Sequence, residues 1–317
     1  MNTISIAGFK RQYEFTVAVL SDTQNYSEKY PAIFHAQTRW LAENTARENI
    51  VFVTHVGDVV QNGGVEAEWN VAVPAMKRLI GTVPFGVVSG NHDYDVVGDP
   101  KAPLENYRRR FGQDLFGKIS TTKGFGPEDG SSYHIFPAGK RSILSLHLEH
   151  DPRDSALAWA QSVLDKNKNL PAMLTTHTYL NDKTHSRDSK PYSRASGNSA
   201  EDVFQKLVRK NPRVFLVQCG HWWTLGGETT QVSTNDYGGR AIELLSDYQG
   251  RANGGNGWLR LLRFDPANGL LHIQTYSPTL RRFETDADSE MTLPLEIDRP
   301  VAPAPVKLDN GVLSFLR

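Results

Sequence analysis

Several things are scarce in this 317-residue chain, and each absence removes a class of function. Cys219 is the only cysteine. There can be no intramolecular disulfide and no cysteine-based zinc cluster, and a lone thiol closing the apolar run "RVFLVQC" reads as buried and inert. Charge of one sign is also missing, because 35 Lys and Arg balance 35 Asp and Glu. A neutral chain offers no electrostatic footprint for nucleic acid or an anionic membrane, so neither is expected as a partner, whereas a small phosphorylated substrate is compatible. No stretch approaches the roughly 20 apolar residues of a membrane span. The N-terminus "MNTISIAGFKRQYEF" has no apolar core and no small-residue cleavage site, which gives a cytoplasmic expectation. Oligomeric state leaves no mark in the sequence.

Known catalytic signatures are scarce too. There is no GxSxG elbow, no HExxH and no CxxC. "GQDLFGKI" (112–119) fits the first seven positions of a phosphate-binding loop. However, it places Ile119 where a metal-binding hydroxyl belongs, and it follows "YRRRF" rather than an apolar strand.

What is present is a set of short, nearly continuous apolar runs: "FTVAVL" (15–20), "IVFVTHV" (50–56), "VPFGVVS" (83–89), "SILSLHL" (142–148), "PAMLTTH" (171–177) and "RVFLVQC" (213–219). Runs of this length and character predict strands covered on both faces. Helical patterns are expected over 31–49, 65–80, 154–167 and 199–210. Pro31 stands at a first-turn position, and Ser199 with Asp202 forms an imperfect capping box. After about residue 212 the chain becomes strand-rich, and "DPANG" (265–269) reads as a hairpin turn. The fold class is α/β, two packed sheets with helices outside. The domain is placed at 15–295, with a 1–14 extension and a Pro-rich 296–317 tail docking as an edge strand.

Polar side chains cluster just beyond these runs. Asp22 follows the first, Asp58 the second, Asn91 and His92 the third, His177 the fifth and His221 the sixth. The ends of neighbouring parallel strands converge where α/β proteins bind ligands. Any one of these residues could be a turn or core residue. Recurring together, with Gly57, Gly90 and Gly220 alongside, they point to a single cleft.

The ordered motifs "DTQ" (22–24), "GDVV" (57–60), "GNHD" (90–93), "TTH" (175–177) and "GHWW" (220–223) resemble those of the calcineurin-like metallophosphoesterases, over roughly residues 15–280. The resemblance implies a four-layer αββα sandwich of two mixed β-sheets flanked by helices. It also implies one or two divalent ions (Mn, Fe, Zn or Mg) and hydrolysis of a phosphomonoester or phosphodiester by a metal-bound hydroxide. Carried over by position, Asp58 would bridge two metals. Asn91, His177 and His221 would complete the second, and Asp22 and Gln24 would serve the first. His92 would assist at the substrate phosphate. Asp93 would either orient His92 or act as a turn residue.

Two departures concern the first metal. Gln24 stands where the family usually has His, and Trp223 stands where the last motif usually offers a second His. Tryptophan carries only a donor and cannot ligate. Glu228, on the "TLGGE" loop, is one candidate replacement. If nothing replaces the ligand, the alternative is a phosphate-ligand binding protein that keeps one metal and hydrolyses little. The polar segment 179–199 has the length of a binding loop, with His185, Arg187 and Arg194 as candidate phosphate contacts.

Overall fold

The computed structural model describes residues 13–99, 101–127 and 130–298. The predicted runs form the centres of two mixed seven-stranded sheets. In the first, Phe15–Leu20, Ile50–His55 and Phe85–Val87 run parallel. Leu259–Asp265 pairs antiparallel with the first of these and continues the sheet outward to Leu270–Ser277. In the second, Arg141–His147, Ala172–Thr175, Val214–Cys219 and Arg240–Ser246 run parallel. That sheet is flanked by antiparallel Ser132–Ala138 on one side and Glu228–Thr234 on the other.

The alternation of side chains along each strand explains the layers. Phe15, Val17 and Val19 face the other sheet, joining Phe52, Phe136, Met173, Leu216 and Phe264 in the middle of the sandwich. Phe15 stacks on Phe264 and Phe52 on Phe136, with centroids 4.6 and 4.4 Å apart. Ala18 and Leu20 turn the other way, onto Phe34, Leu41, Trp69 and Met76. Those residues belong to helices Pro31–Asn44 and Glu66–Lys77. The second sheet is covered likewise by Leu157, Val163 and Phe204. The central strands are therefore largely apolar on both faces, as the runs required. The architecture is the expected αββα sandwich.

Differences from the sequence reading are local. The first helix stops at Asn44 rather than 49. The Ser199–Asp202 capping box is complete, but its helix ends at Val203 and continues as a π-helical turn, Phe204–Val208. Phe204, Leu207 and Val208 are all buried by that turn. "GQDLFGKI" forms the helix Gln113–Phe116, whose Leu115 and Phe116 lie in the core, so it cradles no phosphate. Leu295 and Ile297 also reach the inter-sheet core. Residues 1–12 of the predicted 1–14 extension and residues 299–317 of the predicted 296–317 tail lie outside the described residues. Among the described residues, no helix is long and apolar enough to cross a membrane.

One polar network crosses the sandwich. Thr54 Oγ1 lies 3.0 Å from His147 Nε2 and 2.9 Å from Thr175 Oγ1, and His134 stands edge-on to His147 at 5.0 Å. Gly86 makes room for this: a Cβ there would fall 2.3 Å from the His147 ring. Burial pushes His147 down to about 3, and His134 well below the usual histidine range. Above pH ~6.5 the unfolded and folded forms of His147 are both neutral and contribute nothing to pH dependence. As pH falls below that, the unfolded chain binds a proton that the folded chain refuses. Stability should then drop by about 1.4 kcal/mol per pH unit for each such histidine. In urea titrations with a chelator present, the wild type should weaken steadily from pH 6.5 to 4.5. His147→Asn should flatten that slope; an unchanged slope contradicts the assignment.

Candidate metal centre

The parallel strands of both sheets end at one edge of the sandwich, and the predicted residues meet there. Asp22 lies two residues past Phe15–Leu20, Asp58 three past Ile50–His55, His177 two past Ala172–Thr175, and His221 two past Val214–Cys219. All four are buried. Asp58 and His221 hold left-handed backbone, with φ of 48° and 74°. Such conformations are uncommon away from glycine and recur at functional sites. Two glycines are required by close approach. A Cβ on Gly90 would fall 2.0 Å from Asp58 Oδ1, and one on Gly220 would fall 2.0 Å from Asp22 Oδ1. Gly220→Ala must therefore displace the Asp22 carboxylate. It should lower metal content, measured by elemental analysis at matched loading; retained content would show that the carboxylate is not a ligand.

His177 shows what this arrangement holds. Its Nδ1 lies 2.9 Å from the Val56 carbonyl, which can only accept, so the proton sits on Nδ1 and Nε2 carries a lone pair. That Nε2 faces Asn91 Oδ1 at 3.1 Å, Asp58 Oδ2 at 3.3 Å and His221 Nδ1 at 3.2 Å. Asp58, His177 and His221 each present a ligand atom within 4.8 Å of the others. Lone pairs at such distances repel unless a cation or proton sits among them. Nitrogen and oxygen donors in this mixture suit Mn, Fe or Zn. Burial works against charge on Asp58, yet His177 holds its carboxyl below the usual range. Burial would lower His177, but the Asp58 carboxylate outweighs it and raises the imidazole. His221 is driven well down by burial and by the neighbouring His177.

The adjacent position is rich in oxygen. Asp22 Oδ2 accepts from the His221 amide at 2.9 Å, while its Oδ1 is buried with no hydrogen-bond partner. Gln24 directs Nε2 to Asp58 Oδ2 (3.2 Å) and Gln249 Oε1 (2.5 Å), leaving its own Oε1 buried and unpartnered. Ligation through that oxygen needs a half-turn of the amide, an exchange of two groups of nearly equal shape. A third carboxylate, Asp247, follows Arg240–Ser246 and lies against Asp22. It accepts from the Gln249 amide at 2.9 Å and from Gln249 Nε2 at 2.7 Å. Burial, Asp247 and Asp58 drive Asp22 well above the usual carboxylate range, and burial pushes Asp247 up to about 6. Crowded carboxylates with orphaned oxygens fit a divalent cation.

The sequence reading missed Asp247, although its signal matches that of Asp22 and Asp58: an aspartate directly after an apolar strand, "AIELLSD". It also missed His150, buried 5.4 Å from the His177 ring and held by Ser193 Oγ at 2.9 Å.

Other expectations need correction. Glu228 does not replace the missing histidine. It is buried between the sheets, 2.9 Å from Arg260 Nη2, and accepts from Tyr248 Oη, Thr275 Oγ1 and Ser289 Oγ at 2.7, 2.8 and 2.7 Å. Trp223 is half-exposed and lies against Gly250. Asp93 does not orient the His92 ring. Its carboxylate collects the amides of Val59, Val60 and Gly90 at 2.9, 3.2 and 2.8 Å, which is the turn role. The His92 ring is set instead by the Gln61 carbonyl, 2.8 Å from Nδ1, and the His92 amide donates to Asp58 Oδ1 at 2.9 Å. Arg187 is committed to Glu201 and Glu243, at 2.7 and 2.9 Å. His185 Nδ1 lies 3.4 Å from Thr229 Oγ1. Tyr192 and Arg194, from the same segment, do reach the cleft. Tyr192 stands edge-on to His221 with centroids 4.1 Å apart.

Comparison with known proteins agrees with this geometry. The sequence pattern of the calcineurin-like phosphoesterases matches residues 15–225, more than half of the chain. The protein YvnB of Bacillus subtilis (strain 168) is 32% identical over 296 residues, which cover 89% of this chain but only 22% of that protein. In fold, the chain is similar to purple acid phosphatase PPD1 from yellow lupin (Lupinus luteus) seeds. The TM-score is 0.56 at 14% identity, over 89% of this chain and 54% of that one. On the strength of the matched pattern, and in accord with the strand-end centre, this chain belongs to the calcineurin-like phosphoesterase family.

Proposed function

We propose that the domain hydrolyses a phosphate ester with two divalent ions. Asn91, His177 and His221 would hold one ion; Asp22, Gln24 and Asp247 would hold the other, and Asp58 would be shared between them. The observation that carries this reading is the convergence of Asn91 Oδ1, an Asp58 oxygen and His221 Nδ1 on His177 Nε2, next to the orphaned oxygens of Asp22 and Gln24. Bound ions supply Lewis acidity toward phosphoryl oxygens and a lowered pKa for water. The chain's own residues do the rest. Asp58 presents one oxygen toward His177 and takes the His92 amide on the other, coupling the ion site to the histidine loop. The Gln61 carbonyl fixes the proton of His92 on Nδ1, so Nε2 is the atom that exchanges protons with substrate. As an imidazolium, it would donate to the leaving oxygen.

Asp247 beside Asp22 supports hydrolysis over the alternative of a one-metal phosphate binder, because it offers the oxygen that Trp223 cannot. The harder donor set of Asp22, Gln24 and Asp247 favours Mg²⁺ or Mn²⁺ at that position. Asp247→Asn should weaken the first ion and leave the second in place. The same variant should make the metal-free protein more stable at neutral pH, since one of three mutually opposed carboxylates is gone. Metal titration and melting with a chelator read the two effects separately. The reading as a whole is tested with nitrophenyl phosphate and bis-nitrophenyl phosphate after loading with Mn, Fe or Zn. Turnover of either ester is expected; two bound ions with no turnover of either would refute hydrolysis.

A further inference from the structure

A second polar feature lies next to the metal centre. A cavity of about 290 Å³ is lined by Tyr94, Lys101, Leu104, Arg108, Glu149, Arg153 and Arg194, among others. Four of its side chains are cationic and one is anionic. The anionic one, Glu149, is buried and spent on Arg153, whose Nε and Nη2 reach its two oxygens at 2.8 and 2.6 Å. Among the described lining residues, Lys101 and Arg194 then present positive charge to the cavity. Arg194 reaches the hydroxyl of Tyr94 with Nη2, and its Nε is buried without a hydrogen-bond partner.

Two segments of chain connect this cavity to the metal centre. The loop bearing His92 continues to Tyr94, which lines the cavity. On the opposite wall, Tyr192 stands over His221 and Arg194 lines the cavity. Asp151 fixes that wall by accepting the amides of Tyr192, Ser193 and Arg194 at 3.1, 2.7 and 2.9 Å. On each side the step is two residues, which spans at most about 7 Å of extended chain. The chamber thus lies within two residues of the metal centre along each of two chain segments.

Building on the reading of the metal centre given above, we infer that this chamber is a second anion subsite, and that the natural substrate is a phosphate ester carrying a further phosphate or carboxylate. Guanidinium and ammonium groups recognise both anions through charge-assisted hydrogen bonds. A chamber of this size admits one such group with its linker. The neutral overall charge is no objection, because the positive charge is local.

Calorimetric binding to the metal-loaded protein tests this with non-hydrolysable probes: butylphosphonate, 5-phosphonopentanoate and butane-1,4-bisphosphonate. One or both of the doubly functional probes should bind about tenfold or more tightly than butylphosphonate. The stronger of the two identifies phosphate or carboxylate as the second group. Arg194→Gln should bring that ratio toward one, and Arg194→Lys should restore part of it. Lys101 is exposed, so Lys101→Gln carries little folding cost and should reduce the ratio independently. Equal binding of all three probes by wild type, or a ratio untouched by both Gln variants, would overturn the subsite. Binding of phosphonates does not depend on turnover. A failure of hydrolysis would instead appear as absent nitrophenyl ester turnover with this binding ratio intact.

Discussion

Asp58→Asn should reduce turnover of nitrophenyl phosphate by about a thousandfold or more while leaving the chain folded. That factor corresponds to the several kcal/mol that metal ions contribute to phosphoryl transfer, at about 1.36 kcal/mol per tenfold. The substitution is close to isosteric, but no orientation of an amide serves here. One oxygen of Asp58 accepts the His92 amide at 2.9 Å, and the other lies 3.3 Å from His177 Nε2 and 3.2 Å from Gln24 Nε2. An asparagine NH₂ must either face the His92 N–H, donor against donor, or turn toward the ligand lone pairs where a cation belongs. Removing this buried negative charge relieves Asp22 but takes the counter-charge from His177, so the melt is read beside the kinetics. The decisive comparison is kcat at measured metal content, with a thermal melt alongside. A variant keeping more than about a tenth of wild-type turnover with both ions bound would remove Asp58 from the chemistry.

Glu228→Ala should do the reverse, lowering stability by about 3–5 kcal/mol with no change in metal stoichiometry. Arg260 is fully buried and its Nη2 lies 2.9 Å from Glu228 Oε1. Burial opposes ionisation of Glu228, but Arg260 and the hydroxyls of Ser289, Tyr248 and Thr275 hold its carboxyl down to about 2. Truncation leaves a buried guanidinium without its counter-charge. The depressed carboxyl also gives the sign of the pH effect. Its stabilisation is present above the unfolded glutamate value of about 4.3 and is lost as pH falls toward 2. Urea unfolding at pH 7 and elemental analysis together decide the point. Loss of one ion without loss of stability would return Glu228 to the metal centre.

These variants also separate what sequence and structure each reveal. Asp22, Asp58, Asn91, His92, His177 and His221 were legible because each follows a strand whose apolar run is unmistakable. Parallel strands must also bring their ends to one edge. Asp93 was ambiguous for a reason of scale. Adjacent to His92 in sequence, it turns to the amides of Val59, Val60 and Gly90, which only folding collects. Glu228 and Asp247 both flank strands of the second sheet, and nothing local to either separates a ligand from a structural carboxylate. Glu228 begins an outer antiparallel strand and faces Thr275 and Arg260 of the other sheet. Asp247 ends a parallel strand beside Val214–Cys219 and so arrives at Asp22.

By itself, the sequence determined the layers of the sandwich and pointed to one cleft at the strand ends, because hydrophobic periodicity and strand-end position are local properties of the chain. Only the tertiary structure decided that Asp247 lies against Asp22, and that Tyr94 and Arg194 line one chamber. Those outcomes depend on strand order and on contacts between residues a hundred or more positions apart, which no local pattern encodes.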